Sequence, residues 1–289
     1  MDNLLNYIEG LDFKKIILFC CMLISFAYVN SLSGDFIWDD YSTIISNVSI
    51  RELKLSRIFL PLYDEINSDK FHIPIYGRPL QISSYAVDYS IWKLNPFGYH
   101  LTSLILQILN AILIFILFLE LFKNKLYAFF SALLFGVNPV FTSAVTYISG
   151  RADLLLLLFS LALVICFIKS IKTGRLILAY YISSLFCFIC VLASKEIGAV
   201  SVFFLMAFDK LIYKYSIKKA KNLIYVPYIL IFFAWQLVMP ASLPGFILNI
   251  SNLKGIFFML ASIVKGIYCY AVLAFFPYHL RIGTMQPGC

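Results

Sequence analysis

The stretch YHLTSLILQILNAILIFILFLELF, residues 99–122, decides the fold class of this chain. It exceeds the about 20 mostly apolar residues that a helix needs to cross a bilayer. Its one Asp, Glu, Lys or Arg, Glu120, stands at its far end. Comparable apolar runs occur at 15–33, 127–146, 152–171, 176–194, 197–213, 223–240 and 255–276. The whole chain of 289 residues is 62% hydrophobic and only 13% charged, with a mean hydropathy of +0.89. Soluble domains carry about 25% charged residues, so lipid is the solvent here. The reading is an all-α polytopic membrane helix bundle, a single domain over 1–289 with about eight spans.

The first run follows Lys14 and Lys15 and resembles a signal peptide, but it ends at Asn30–Gly34 without a small-residue cleavage pattern. It is read as a retained first span. Six of the seven cysteines lie inside apolar runs, among them Cys187 and Cys190. Their C-x-x-C spacing reads as lipid-facing filler rather than a redox or zinc site, because a thiol in such a run behaves as a small hydrophobe. The net charge of +8 comes from short lysine clusters between the spans. These are topology signals, and nucleic acid is not an expected partner.

Orientation follows from the basic residues, which are retained on the cytoplasmic side in short loops. Every second loop is basic: Lys14/Lys15, Lys123/Lys125, Lys169/Lys172/Arg175, and Lys210/Lys214/Lys218/Lys219/Lys221. The intervening loops hold one basic residue each, Arg151, Lys195 and Lys254. The N-terminus is therefore expected in the cytoplasm. The long polar segment 34–98 is expected on the outer surface, containing an interfacial helix opened by Pro79 with Leu80, Val87, Ile91 and Leu94 at helical spacing. Asn138-Pro139 predicts a kink or early end in the run 127–146. Asn47-Val-Ser49 and Asn249-Ile-Ser251 match the glycosylation acceptor pattern, which matters only in a eukaryotic secretory membrane.

Chemistry gathers at the outer ends of the spans. Trp38-Asp39-Asp40 places two adjacent carboxylates just past the first span. Repulsion in a partly dry site holds one proton more tightly, so the pair can serve as a general base or hold a divalent metal. The plainer alternative is a solvated turn with an N-cap aspartate. Gly150-Arg151-Ala152-Asp153 and Ser194-Lys195-Glu196 stand at other outer ends, and Arg78 and His100 flank the surface helix. A charge at the membrane centre costs roughly 2.5–3.5 kcal/mol, so Lys195 and Glu196 are expected either to face a polar cavity or to neutralise each other in a tight hairpin. Guanidinium and ammonium together suit phosphate. At a membrane boundary, that phosphate is expected on a lipid.

The ordered set Phe36-Ile-Trp38-Asp39-Asp40, Tyr76-Gly-Arg78-Pro79-Leu80, Leu94-Asn-Pro-Phe-Gly-Tyr-His100-Leu-Thr, Asn138-Pro-Val, Tyr147-Ile-Ser-Gly-Arg151-Ala-Asp153-Leu and Ser194-Lys195-Glu196 resembles the membrane part of the transmembrane and tetratricopeptide-repeat proteins. These are O-mannosyltransferase-like members of the GT-C glycosyltransferase group. The resemblance runs from about residue 36 to 200. It implies an enzyme that moves a mannose-like sugar from a polyprenyl- or dolichyl-phosphate carrier to a hydroxyl of a protein or glycan acceptor. The reaction would lie on the non-cytoplasmic face of a bacterial inner membrane or an endoplasmic-reticulum membrane.

The resemblance also implies roles. The acidic element falls on Asp39 as base with Asp40 as its partner, and these two are the candidates for any divalent metal. Arg78, Arg151 and Lys195 would hold the lipid phosphate, and His100, Asp153 and Glu196 would orient them. This chain departs from the family at Asn138-Pro-Val-Phe-Thr142-Ser143, where members often have His-Pro-Val followed by Thr-Glu, and at Gln107, often a histidine. Members are usually longer, so a fragment or shortened homologue is expected. Alternative readings are a non-catalytic polyprenyl-phosphate-binding protein, acting as a scaffold subunit or lipid transporter, and a solute transporter. The latter is disfavoured because the ionisable groups gather near one face rather than at midplane.

Overall fold

The computed structural model describes residues 12–52, 78–171, 176–210 and 223–238, and every regular element among them is helical. Helix α1, Phe13–Tyr28, is capped by Asp12 and runs on into a 3-10 turn, Val29–Ser33. After an extended stretch and a short π-helical turn at Tyr41–Ile45 come α2, Pro79–Trp92, and α3, Pro96–Phe122. Helix α3 begins before the apolar run because the Asn95 side chain accepts the Phe97 N–H at 3.1 Å and Pro96 needs no partner in the first turn. Lys123, at φ 55°, turns the chain into α4, Lys125–Gly136, where Asn124 caps Leu126 and Tyr127.

Three helices, Lys14–Ser33, Pro96–Phe122 and Ile148–Ile171, are long and apolar enough to cross a membrane. A fourth span results if α4 and Pro139–Thr146 are taken together; they are bent by 45° where Asn138-Pro139 predicts a break. Helix α5, Arg151–Ile171, packs along α3 and along α6, Leu178–Ser194. Shorter apolar elements follow: a 3-10 turn Glu196–Val200 leading into α7, Ser201–Phe208, and then α8, Val226–Val238. The expected span 255–276, Asn249, Lys172, Arg175, the lysines 214–221 and Lys254 lie outside the described residues.

Four apolar clusters hold these elements together. Phe167, Phe188, Leu205 and Tyr228 join α5 to α8, whereas Ile24, Leu104, Ala111 and Leu154 join α1, α3 and α5. Ile16, Phe115 and Ala132 bind α4 to α1 and α3. The fourth cluster, Phe36, Ile44, Ile50, Tyr85, Tyr99 and Ile148, fastens the segment after α1 and the surface helix α2 onto the bundle. Cys187 and Cys190 are buried within the bundle, which corrects the expectation of a lipid-facing pair. Asn47 is also a correction: it is 2% exposed and its amide bonds the Thr43 carbonyl and the Ser49 N–H, so the acceptor nitrogen is not presented outward.

Helix α2 is polar where it faces the protein. Gln81, Tyr85 and Asp88 are buried on one face, and Val87 and Ile91 are exposed on the other. An apolar outward stripe is what a helix lying at a lipid boundary requires. The turn from α2 into α3 is tight, and a Cβ on Gly98 would overlap the Trp92 ring. Gly98→Ala is expected to destabilise the protein by about 1–3 kcal/mol, the range for overpacking a filled site. A lowered thermal midpoint in detergent checks this.

Candidate active site

A polar cavity of about 240 Å³ opens between the segment after α1, the start of α2, the turns before α5 and the turn after α6. Its walls include Asp39, Arg78, Tyr147, Ser149, Asp153 and Lys195. Segments far apart in sequence thus bring two carboxylates, Asp39 and Asp153, and two cations, Arg78 and Lys195, of the expected site to one hollow. Asp40, His100, Arg151 and Glu196 do not line it.

The adjacent aspartates have opposite surroundings. Asp40 is fully buried: one carboxylate oxygen accepts the Ser149 N–H at 2.9 Å and the Ser149 hydroxyl, and the other accepts the Ile37 N–H at 3.0 Å. Burial pushes its pKa above the ordinary 3.8, opposed by the Ser149 and Ile37 hydrogen bonds and by His100. Asp40 is therefore neither a solvated side chain nor a helix cap; it ties residues 37–40 to the turn before α5. Asp39 is exposed, and its carboxylate has no partner among the described residues. Its backbone is fixed instead, with the N–H donating to the Tyr147 hydroxyl at 3.2 Å and the carbonyl accepting from Thr43 Oγ1 at 2.7 Å. Among the described residues no group competes for the Asp39 carboxylate, and Asp39 lines the cavity.

Both cations of the cavity wall are held by acids from the same set. Arg78 grips Glu196 with two nitrogens, Nε and Nη2, each 3.1 Å from a carboxylate oxygen, so the start of α2 is clamped to the turn after α6. Lys195 Nζ lies 2.6 Å from Asp153 Oδ1, and half of the Asp153 side chain is exposed. A solvated pair of this kind is worth at most about 1 kcal/mol, whereas the bidentate, largely shielded Arg78–Glu196 pair is geometrically fixed. Lys195 is consequently the cation that an incoming anion can take over.

Arg151 stands elsewhere. It is completely buried, its Nη1 lies 2.6 Å from Asp88 Oδ2, and it donates to the Tyr99 carbonyl at 2.7 Å and to Ser84 Oγ at 3.2 Å. Its guanidinium sits 4.7 Å from the Tyr85 ring centre and 5.8 Å from that of Tyr99. Every group around it belongs to the fold, and a phosphate in the cavity does not meet it. Asp88 was missed in the sequence reading, although the polar repeat Gln81, Ser84/Tyr85, Asp88 on an otherwise apolar surface helix is a legible sign of an inward polar face. His100 is likewise buried, packed so closely on Gly34 that a Cβ there would come within 2.9 Å of its Nε2. Among the described residues no group of three or more His, Cys, Asp or Glu could hold a metal ion. The two aspartates do not converge, since the Asp40 oxygens are occupied by backbone and hydroxyl donors.

Comparison with known proteins identifies relatives. Protein O-mannosyl-transferase TMTC2 of Homo sapiens is 32% identical over 213 residues, 68% of this chain and 25% of its own length. Protein O-mannosyl-transferase TMTC3 of Mus musculus is 30% identical over 167 residues, covering 55% of this chain and 17% of the relative. TMTC1 of the same species is 33% identical over 151 residues, 51% and 16%. The chain thus spans between 16% and 25% of the length of these relatives. No family model and no solved structure matches the chain.

The Arg151–Asp88 pair carries a prediction. Asp88→Asn alone leaves a buried guanidinium uncompensated and is expected to cost about 3–5 kcal/mol. The double variant Asp88→Asn/Arg151→Met is expected to cost less than the sum of the single variants, measured as a thermal-unfolding cycle in detergent. For Asp40 the sign is fixed by its raised native pKa. Folding favours the protonated acid, so its contribution to stability is complete below 3.8 and is lost as pH rises through the native value. The stability of the parent relative to Asp40→Asn is therefore expected to increase on acidification.

Proposed function

The chain is related over 51% to 68% of its length to the protein O-mannosyl-transferases just named, and from that premise we propose that it is a glycosyltransferase. The reading supported best is transfer of a mannose-like sugar from a polyprenyl-phosphate carrier to an acceptor hydroxyl, at the outer boundary of a membrane. What carries it is the cavity itself, in which the uncommitted carboxylate of Asp39 faces a wall holding Lys195 and Arg78.

In this mechanism Asp39 removes the proton of the acceptor hydroxyl, and the resulting oxygen attacks the anomeric carbon. The bond from that carbon to the phosphate oxygen breaks, and the lipid phosphate departs with the electron pair. With a single carboxylate acting as base and no covalent intermediate, the displacement inverts the anomeric centre. Negative charge grows on the leaving phosphate as the bond breaks, and cations placed to meet it lower the barrier. Lys195 supplies one such charge once Asp153 swings into solvent, which its exposure permits. Arg78, held by Glu196, keeps the start of α2 in register with the wall. The positive-inside pattern supports an exoplasmic cavity with the N-terminus in the cytoplasm.

Asp39→Asn is expected to reduce sugar transfer from a radiolabelled polyprenyl-phosphate sugar in membranes by about 100- to 10,000-fold, the span of general-base contributions. Lys195→Met is expected to weaken donor use while leaving the fold intact. Equal transfer by Asp39→Asn and the parent would remove the assignment. Binding of the polyprenyl phosphate without any transfer by the parent would identify a carrier-binding protein instead.

A further inference from the structure

Trp38 has two properties that conflict with a purely structural role. Its backbone lies at φ 48°, a left-handed conformation rare for bulky side chains and held only where the surroundings over-determine it. Its side chain is nevertheless 58% exposed. The surroundings that hold it are on the two sides of Asp39. Asp40 is anchored to Ile37 and Ser149, and the Asp39 N–H bonds Tyr147. The indole ring stands edge-on to Tyr147, 5.8 Å between ring centres at 74°, and Tyr147 lines the cavity. The strained turn therefore holds a large aromatic surface open to solvent beside the proposed base.

The segment that carries this ring is negative, while the cations of the adjoining cavity wall, Arg78 and Lys195, are each paired with an acid. From Ile16 to Ile50 the chain contains Asp35, Asp39 and Asp40 and no lysine or arginine. Asp35 and Asp39 are exposed and have no cation partner among the described residues. An aromatic face attracts cations through its quadrupole, tryptophan most strongly, and neighbouring carboxylates add to that attraction.

We propose that Trp38, with the carboxylates beside it, is a specificity-determining subsite for a lysine or arginine flanking the acceptor hydroxyl of a polypeptide. The inference rests on the glycosyltransferase reading and adds the acceptor chemistry to it.

The test uses two serine-containing peptides differing only in an arginine or an alanine beside the serine. With the parent, the arginine peptide has the lower KM. Trp38→Gly removes the ring and the strained φ together, because glycine adopts this conformation freely. The variant is expected to raise the KM of the arginine peptide about 2- to 30-fold, the range of a cation–π contact, with kcat, donor KM and the alanine peptide unchanged. Its unfolding temperature is expected to be at or above the parent's, and Trp38→Phe is expected to retain part of the effect. Equal losses with both peptides, or a lowered unfolding temperature, would make Trp38 a structural or interfacial anchor and overturn the subsite. In protein carrying Trp92→Phe and Trp235→Phe, the arginine peptide is expected to quench the remaining Trp38 emission, a readout independent of turnover. Absence of quenching while transfer proceeds overturns the subsite alone. Absence of transfer by the parent overturns the functional reading, whereas undiminished transfer by Asp39→Asn removes only the base assignment.

Discussion

The cavity depends on one buried ion pair. Arg151 opens α5 with its guanidinium inside the protein, between the rings of Tyr85 and Tyr99 and against the Asp88 carboxylate. A charge this deep is tolerated only with a partner, and its partner comes from α2. The pair therefore fixes where the surface helix lies on α3 and α5. Thr102 adds a second tie by donating to the other Asp88 oxygen at 2.7 Å. Gln81, one turn before Tyr85 on the same face, reaches the Ser149 carbonyl at 2.9 Å and the Tyr85 hydroxyl at 2.8 Å. Arg78 at the helix start is then delivered to Glu196.

Adjacent residues acquire different roles through environment alone. Asp39 and Asp40 are chemically identical, yet one faces the cavity and the other accepts from two backbone N–H groups and a hydroxyl. Burial is the largest cause of the raised Asp40 pKa. The same division separates the basic residues. Lys195 sits in a partly solvated pair that an anion can open, whereas Arg151 is sealed into the fold. Carboxylates and cations placed by separate elements into distinct surroundings are how a site obtains a free base without losing the anchors that position it.

The helical class was legible because lipid allows few backbone solutions, and long apolar runs such as 99–122 read directly as helices. The bend at Asn138-Pro139 was legible because proline deletes a hydrogen bond at a known position. Of the expected site, Asp39, Arg78, Asp153 and Lys195 share the cavity wall, whereas Asp40, His100, Arg151 and Glu196 do not line it. Motif spacing brings Asp39, Arg78, Asp153 and Lys195 together without saying which ionisable groups face inward. Arg151 and Asp153 are two positions apart, so on a helix they point about 200° apart. One enters the core and the other reaches the cavity rim, where it meets Lys195. For Asp88 the local polar repeat marks an inward face, but its partner lies 63 residues away, from 88 to 151, and no local pattern names that partner.

The inverted polarity of α2 links the bilayer to the site. In water, a helix with Val87 and Ile91 outward and Gln81, Tyr85 and Asp88 inward would expose apolar area and bury polar groups, both unfavourable. At a lipid boundary the first term reverses, because the outward stripe finds an apolar surrounding. The second is offset by the Arg151, Ser149 and Thr102 contacts. The helix that brings Arg78 to the cavity is thus held on one face by the buried ion pair and presents on the other the apolar stripe that a lipid boundary would cover.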